Sequence, residues 1–307
     1  YKSTIDVAKF DNSLNKDLKV IFTPLHGASI TAIPNVLKMS GFNNVFLVKE
    51  QAEPNGNFPT IKSPNPEEPE AFKIAIKQAK KNDGGIIIAT DADGDRLGVS
   101  IKDKNQNFYL LNGNQIMVVI IHFLLEHWKK RGKLNGNQFI ATTIVSTPMI
   151  KKIASEYNVA YKETLTGFKW ISKLIEDFPD LEFIAGGEES HGYLIGEKVR
   201  DKDAISAALL ICEIENQMRK IGKSTYELLL ECYKKFGAHK ERLISFVKKG
   251  KEGINQIDRK MNSFRKSPPK FIDGIPIIQI KDYEKGFSFN LSNKIKTKIN
   301  LPKSNVL

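Results

Sequence analysis

Three aspartates at alternate positions, Asp91, Asp93 and Asp95, sit in the run Asp91-Ala92-Asp93-Gly94-Asp95-Arg96, directly after the apolar stretch Gly85–Thr90. On a turning loop, alternate side chains fold inward, so three carboxylates at this spacing can converge on one hard cation. Gly94 permits the turn. An EF-hand would need Gly at the sixth loop position and Glu at the twelfth, where this chain has Arg96 and Lys102. An acidic solvated loop would need neither the alternation nor a buried strand before it. The pattern therefore predicts a divalent-cation loop at the carboxyl end of a strand, where open α/β sheets place their ligands.

A second stretch, Gly186-Gly187-Glu188-Glu189-Ser190-His191-Gly192, follows the short run Glu182–Ala185. A carboxylate and a hydroxyl two residues apart suit a fork of neighbouring sugar hydroxyls: the carboxylate accepts, while the serine donates or accepts. Taken alone, a Gly-flanked acidic turn is commonly just a turn. Thr166 and Gly167 stand at the start of a helical pattern, where exposed N–H groups favour an anion or simply carry a cap. Arg200-Asp201-Lys202-Asp203 is a charge run that by itself says little. His26, in Thr23-Pro24-Leu25-His26-Gly27, could face a site or cap a helix, and His191 could be a turn residue or a base. His122 and His127 lie five apart, the wrong spacing for two ligands on one helix face.

These loops need a rigid frame, and strands alternate with helices along the chain. Leu18–Phe22 and Asn44–Val48 read as strands, with Ile30–Ser40 a helix between them. Pro64–Lys81 reads as a helix with a Pro/Glu-rich first turn. Gly85–Thr90 is apolar throughout, as in a parallel sheet covered on both faces. This unit is expected to end near Lys104. A second unit starts at Leu110–Gly113 with a long helix to about Lys130. It continues through strand Phe139–Val145, helix Pro148–Tyr157, strand Ala160–Thr164, helix Phe168–Asp177, strand Glu182–Ala185 and helix Ala204–Arg219. The fold class expected is α/β: two similar doubly wound domains with mixed sheets, at 1–108 and 109–236, then a short, partly β connector over 237–307. In that connector only Pro276–Ile280 and Phe287–Asn290 look like strands.

Composition narrows the partners. With 307 residues, 41% hydrophobic and 27% charged, the chain is of ordinary globular type, and no apolar run reaches the ~18–20 residues of a membrane span. The net charge of +12 comes from lysines scattered along the whole chain, without interleaved aromatics, so they read as solvated faces rather than a nucleic-acid platform, and a small anionic substrate is served just as well by that balance. Two cysteines, Cys212 and Cys232, are too few and too far apart for a disulfide framework or a four-ligand zinc site and fit a reducing, cytoplasmic setting. Tyr1 opens the chain with no targeting pattern after it, so the chain reads as a piece of something longer.

The Asp loop and the Gly-Glu-x-Ser element together resemble the α-D-phosphohexomutases. The likeness extends in family order through the His26 stretch, Pro64-Asn65-Pro66-Glu67, Leu111-Asn112-Gly113-Asn114-Gln115, the Thr166 loop and Leu301-Pro302-Lys303-Ser304. It is nearest to the long bacterial phosphoglucomutase/phosphomannomutase branch, which also holds phosphopentomutase-like enzymes. The resemblance implies that Asp91, Asp93 and Asp95 hold Mg²⁺ against a phosphoserine on another domain, with Arg96 beside the phosphoryl group. It implies that Glu188 and Ser190 hold sugar hydroxyls, that Thr166, Gly167 and Lys169 contact substrate, and that Arg200 and Lys202 contact phosphate. The implied reaction interconverts hexose 1-phosphate and 6-phosphate through glucose 1,6-bisphosphate or its equivalent. Complete members have four domains. Neither the Ser-His-Asn-Pro nucleophile of the first nor the Arg-x-Ser-Gly-Thr-Glu-Pro clamp of the last is present, so both end domains are expected to be missing and the chain alone to be inactive. Ser190-His191 echoes the nucleophile only superficially, since Gly192 and Tyr193 follow. The rival readings are a non-catalytic sugar-phosphate or metal-binding module and, more weakly, a phosphatase, for which no nucleophilic Asp is clearly free.

Overall fold

Two sheets of matching design frame the first 241 residues. The computed structural model describes every residue except Leu14, Asn15, Lys104, Arg242, Leu243 and Ser245, so the unit boundary expected near Lys104 lies outside the described residues. In the first sheet, β1 (Val20–Thr23) lies between β2 (Val45–Leu47) and β3 (Ile86–Thr90), both parallel to it. β3 then turns antiparallel into β4 (Leu97–Lys102), and β4 into β5 (Phe108–Leu111). In the second, β6 (Gln138–Thr143) lies between β7 (Ala160–Thr164) and β8 (Glu182–Gly187), again parallel. β8 turns antiparallel into β9 (Tyr193–Ile195). The orders β2-β1-β3-β4-β5 and β7-β6-β8-β9 share one four-strand plan, to which the first sheet adds β5.

The helices are α1 (Lys2–Ala8), α2 (Ala32–Met39), α3 (Lys73–Asn82), α4 (Gly113–Lys130), α5 (Met149–Glu156), α6 (Lys169–Asp177), α7 (Ala204–Lys220) and α8 (Thr225–Phe236). The helix expected over Pro64–Lys81 begins only at Lys73, after a 3-10 turn over Pro69–Phe72. Prolines 64, 66 and 69 explain the delay, because each pushes the preceding residue out of the helical region. Leu110 and Leu111, expected to open the second unit, instead close the first sheet as part of β5. The long helix starts sharply because Asn112 and Gln115 form a capping box, satisfying two N–H groups reciprocally. α4 and α7 are buried along most of their length. α7 packs on α1, α2 and β3 as well as on α4 and β9, so one apolar core runs through both sheets.

Residues 242–307 form a second compact unit. It holds α9 (Gly250–Lys266), a hairpin of β10 (Phe271–Ile272) and β11 (Ile275–Pro276), and a meander of β12 (Gln279–Asp282), β13 (Phe287–Asn290) and β14 (Lys296–Lys298). The single strand expected at Pro276–Ile280 is thus divided between two sheets. Among the described residues no helix is long and apolar enough to cross a membrane.

A candidate metal and sugar-phosphate site

The turn between β3 and β4 is the Asp91–Arg96 loop, and the turn between β8 and β9 is the Glu188–Gly192 loop. The two stretches singled out from sequence therefore occupy the same connection in the two repeats. They also meet: the Leu97 N–H donates to the His191 carbonyl at 3.0 Å, and Arg96 pairs with Gly192 in an antiparallel bridge.

One carboxylate oxygen from each of Asp91, Asp93 and Asp95 lies within 4.8 Å of the others. Asp91 folds back on its own loop, its Oδ1 accepting the N–H groups of Asp95 at 3.1 Å and Arg96 at 3.0 Å. Its carboxyl is pushed up to about 7, first by burial and then by the neighbouring charges of Asp95 and Asp93, against the pull of the Arg96 N–H. Three hard oxygens in one half-exposed cluster, one of them held against its preference for charge, fit a divalent cation: the ion would relieve the repulsion, and water could complete its shell.

The loop rests on the Thr23–Gly27 turn. The Ala28 N–H donates to the Ala92 carbonyl at 2.8 Å, and a Cβ on Gly27 would stand only 2.6 Å from that oxygen. The hydroxyls of Ser29 and Thr90 bond at 2.6 Å beneath it. His26 does not join the carboxylates; its ring nitrogens lie 3.1 Å from the Glu53 carbonyl and 2.9 Å from the Thr60 hydroxyl.

Arg96 is held between two acids, its Nη1 at 3.4 Å from Glu67 Oε1 and its Nε at 3.8 Å from Asp91 Oδ2. Sequence alone gives Glu67 no role, although the Pro64–Glu67 stretch that carries it stands out. Its carboxyl is raised by burial, with Arg96 pulling the other way.

In the second loop, Glu188 is buried and its Oε1 accepts the Gly167 N–H at 2.9 Å. The main-chain donor expected to meet an anion at the start of α6 is therefore taken by a carboxylate of the chain itself. Burial raises the Glu188 carboxyl, with the Gly167 bond opposing it. Ser190 is half-buried at the tip of the turn. Glu189 accepts the Thr143 hydroxyl at 3.0 Å, and a Cβ on Gly113 would run into its carbonyl, so the start of α4 fixes the loop from below. Thr166 and Lys169 are exposed, Lys169 lying over the Trp170 ring. Arg200 is also exposed and lines, with Lys169, Trp170 and Asp201, an open depression beside α6. Lys202 departs from that group: its Nζ reaches Asp95 Oδ2 at 2.8 Å. The structure thus brings Asp91, Asp93, Asp95, Arg96 and Lys202 together, sets Glu188 and Ser190 beside them, and leaves Lys169 and Arg200 along the rim of α6.

Residues 2–104 match the model of phosphoglucomutase/phosphomannomutase α/β/α domain II, and residues 112–236 that of α/β/α domain III. The chain is 37% identical to the phosphoglucomutase of Staphylococcus haemolyticus (strain JCSC1435), covering 100% of itself and 58% of that protein. A crystal structure of a Thermus thermophilus protein described as a phosphomannomutase superposes with a TM-score of 0.58 at 21% identity, over 73% of this chain and 47% of that one. An Aspergillus fumigatus N-acetylphosphoglucosamine mutase, in complex with GlcNAc-6P and magnesium, does so with a TM-score of 0.50 at 14% identity, over 75% and 51%. At such identities the superpositions speak for the fold, and the domain matches speak for descent: the chain belongs to the phosphoglucomutase/phosphomannomutase family.

Proposed function

We propose that this chain is the metal- and sugar-binding centre of a hexose-phosphate mutase that interconverts glucose 1-phosphate and glucose 6-phosphate. Residues 1–108 would be the metal-loop domain, 109–236 the sugar-loop domain, and 237–307 a connector. One observation carries the reading: the three-carboxylate loop and the hydroxyl-reading loop are joined by main-chain hydrogen bonding at Leu97–His191, so the two subsites share one rim. The 37% identity to a phosphoglucomutase supports glucose as the sugar.

Asp91, Asp93 and Asp95 would hold Mg²⁺, which when bound neutralises charge on a phosphoryl oxygen. Arg96, aimed by Glu67 and Asp91, directs its remaining N–H groups at the same phosphoryl group. Glu188 accepts hydrogen bonds from the sugar hydroxyls and Ser190 completes the fork, orienting the ring for transfer in either direction. The phosphoserine, the phosphate clamp and the turnover of a glucose 1,6-bisphosphate belong, in this reading, to the remainder of the parent protein. The 307 residues alone bind but do not turn over substrate.

The test compares Asp93→Ala with Glu188→Ala in a full-length parent carrying the family's serine. Glu188→Ala should cost about 2–4 kcal/mol of transition-state binding in a coupled glucose 1-phosphate assay. Asp93→Ala should instead block phosphorylation of the serine by glucose 1,6-bisphosphate. Normal turnover by Glu188→Ala would refute the sugar-loop assignment. Normal serine phosphorylation in Asp93→Ala would refute the metal loop, and turnover by the 307-residue chain would require another nucleophile.

A further inference from the structure

Lys202 is the only lysine or arginine, among the described residues, that makes a close ion pair with Asp95, and it is built to reach it. The segment after β9 is anchored where the Asp203 N–H donates to the Tyr193 carbonyl at 2.8 Å, and where Asp203 caps α7 through the Ile205 N–H at 2.9 Å. From there the lysine stem crosses Gly192, where any Cβ would collide with its methylenes. The paired side chains are 19% and 26% exposed. The glycine that closes the sugar loop is thus the bed of a lysine that ends in the metal loop.

An ammonium and a divalent cation cannot both sit on one carboxylate without strong mutual repulsion, because like charges a few ångströms apart at a protein surface are only partly screened. Resting on the reading of Asp91, Asp93 and Asp95 as the metal loop, we propose that Lys202 is a displaceable counter-ion. Its ammonium holds Asp95 when no divalent cation is bound, and would swing from Asp95 toward the phosphate of the sugar ester once the three carboxylates hold one. Because linkage is reciprocal, a phosphate ester that draws Lys202 away also strengthens cation binding. Loading of the two subsites is coupled through one side chain.

The test follows Mn²⁺ binding to the 307-residue chain by the EPR signal of the free ion, with and without glucose 1-phosphate. Lys202→Met keeps the stem over Gly192 and removes the charge. It should bind Mn²⁺ roughly two- to fivefold more tightly than wild type, by relief of an ion pair of ordinary strength. Lys202→Arg should stay near wild type. Glucose 1-phosphate should tighten Mn²⁺ binding in wild type and do so less in Lys202→Met. Equal or weaker Mn²⁺ binding by Lys202→Met, or an undiminished effect of glucose 1-phosphate in it, overturns the proposal. Asp93→Asn tells the two levels apart: Mn²⁺ binding that survives this change removes the metal loop itself, and the role of Lys202 with it.

Discussion

His191 occupies the left-handed region at φ +66° with its side chain buried, in the turn where Arg96 passes. Burial, helped by the Arg96 charge and opposed by a main-chain contact with Leu111, lowers its ring to about 4. The folded protein therefore refuses a proton that an unfolded histidine accepts near 6.5. Stability from this group is complete above pH 6.5 and drains away as pH falls toward 4, by about 3 kcal/mol in all. Asn tolerates the same backbone region, so His191→Asn should lose about 2–3 kcal/mol less than wild type between pH 7.5 and 4.5 in urea unfolding. Equal losses in the two proteins would show that the ring is not the acid-sensitive group. Position 191 marks how far single residues could be read. The alternation of Asp91, Asp93 and Asp95 is local, so their convergence was legible. Glu67 and Lys202 gain their partners only when chain segments 29 and 107 residues away from them fold against them, and no local pattern announces that.

At the scale of elements, both loops are the connection between the last parallel strand and its antiparallel neighbour. β3 was legible because all five residues are apolar or small and buried; β4 was not, because Gly98, Ser100 and Lys102 interrupt its apolar positions. α8 was missed although Ser224 and Glu227 form a capping box. α9 was missed because only Gly253 is buried in it, leaving a lysine-rich surface pattern. The support under the metal loop was visible in the sequence only as the Thr23–Gly27 stretch. The structure gives it a mechanical reason: Gly27 lets the turn press against the main chain of Asp91 and Ala92. Gly27 has an ordinary φ of −100°, so alanine meets no backbone strain there, only collision. Gly27→Ala should cost about 1–3 kcal/mol of stability, as overpacking does, and should weaken Mn²⁺ binding by moving Asp91. An unchanged melting temperature together with unchanged Mn²⁺ affinity would show that the turn is not a support. A loss of stability alone would place Asp91 beyond its influence.

Over the whole of residues 1–241, the expected pair of units does appear as two sheets; one face of each contributes to a shared core around α7, while the other face keeps a cluster of its own under α3 or α6. Each sheet's strand pattern is written locally in the chain. The docking of α7 onto α1 and α2 is not, because its buried face reads simply as a helix hydrophobic nearly all round. One polar feature marks that junction. Lys16, wholly buried, donates to the Asp11 and Ser40 carbonyls and pairs with Glu213 of α7, while its ammonium lies over the Phe42 ring. Burial raises the Glu213 carboxyl and Lys16 opposes that. Such a pair adds little over a well-packed apolar one, yet removing one partner strands the other charge. Lys16→Met alone should therefore cost about 3–5 kcal/mol. The double change Lys16→Met with Glu213→Leu should recover most of that, because no buried carboxylate is left behind. Since the pair joins the part of the chain around the first sheet to a helix following the second, the loss should appear in a single cooperative transition of residues 1–241, followed by urea with tryptophan fluorescence and circular dichroism together. A Lys16→Met protein within about 1 kcal/mol of wild type, or a double mutant no more stable than the single, would mean that the junction is held by its apolar contacts and that the buried charges are incidental to it.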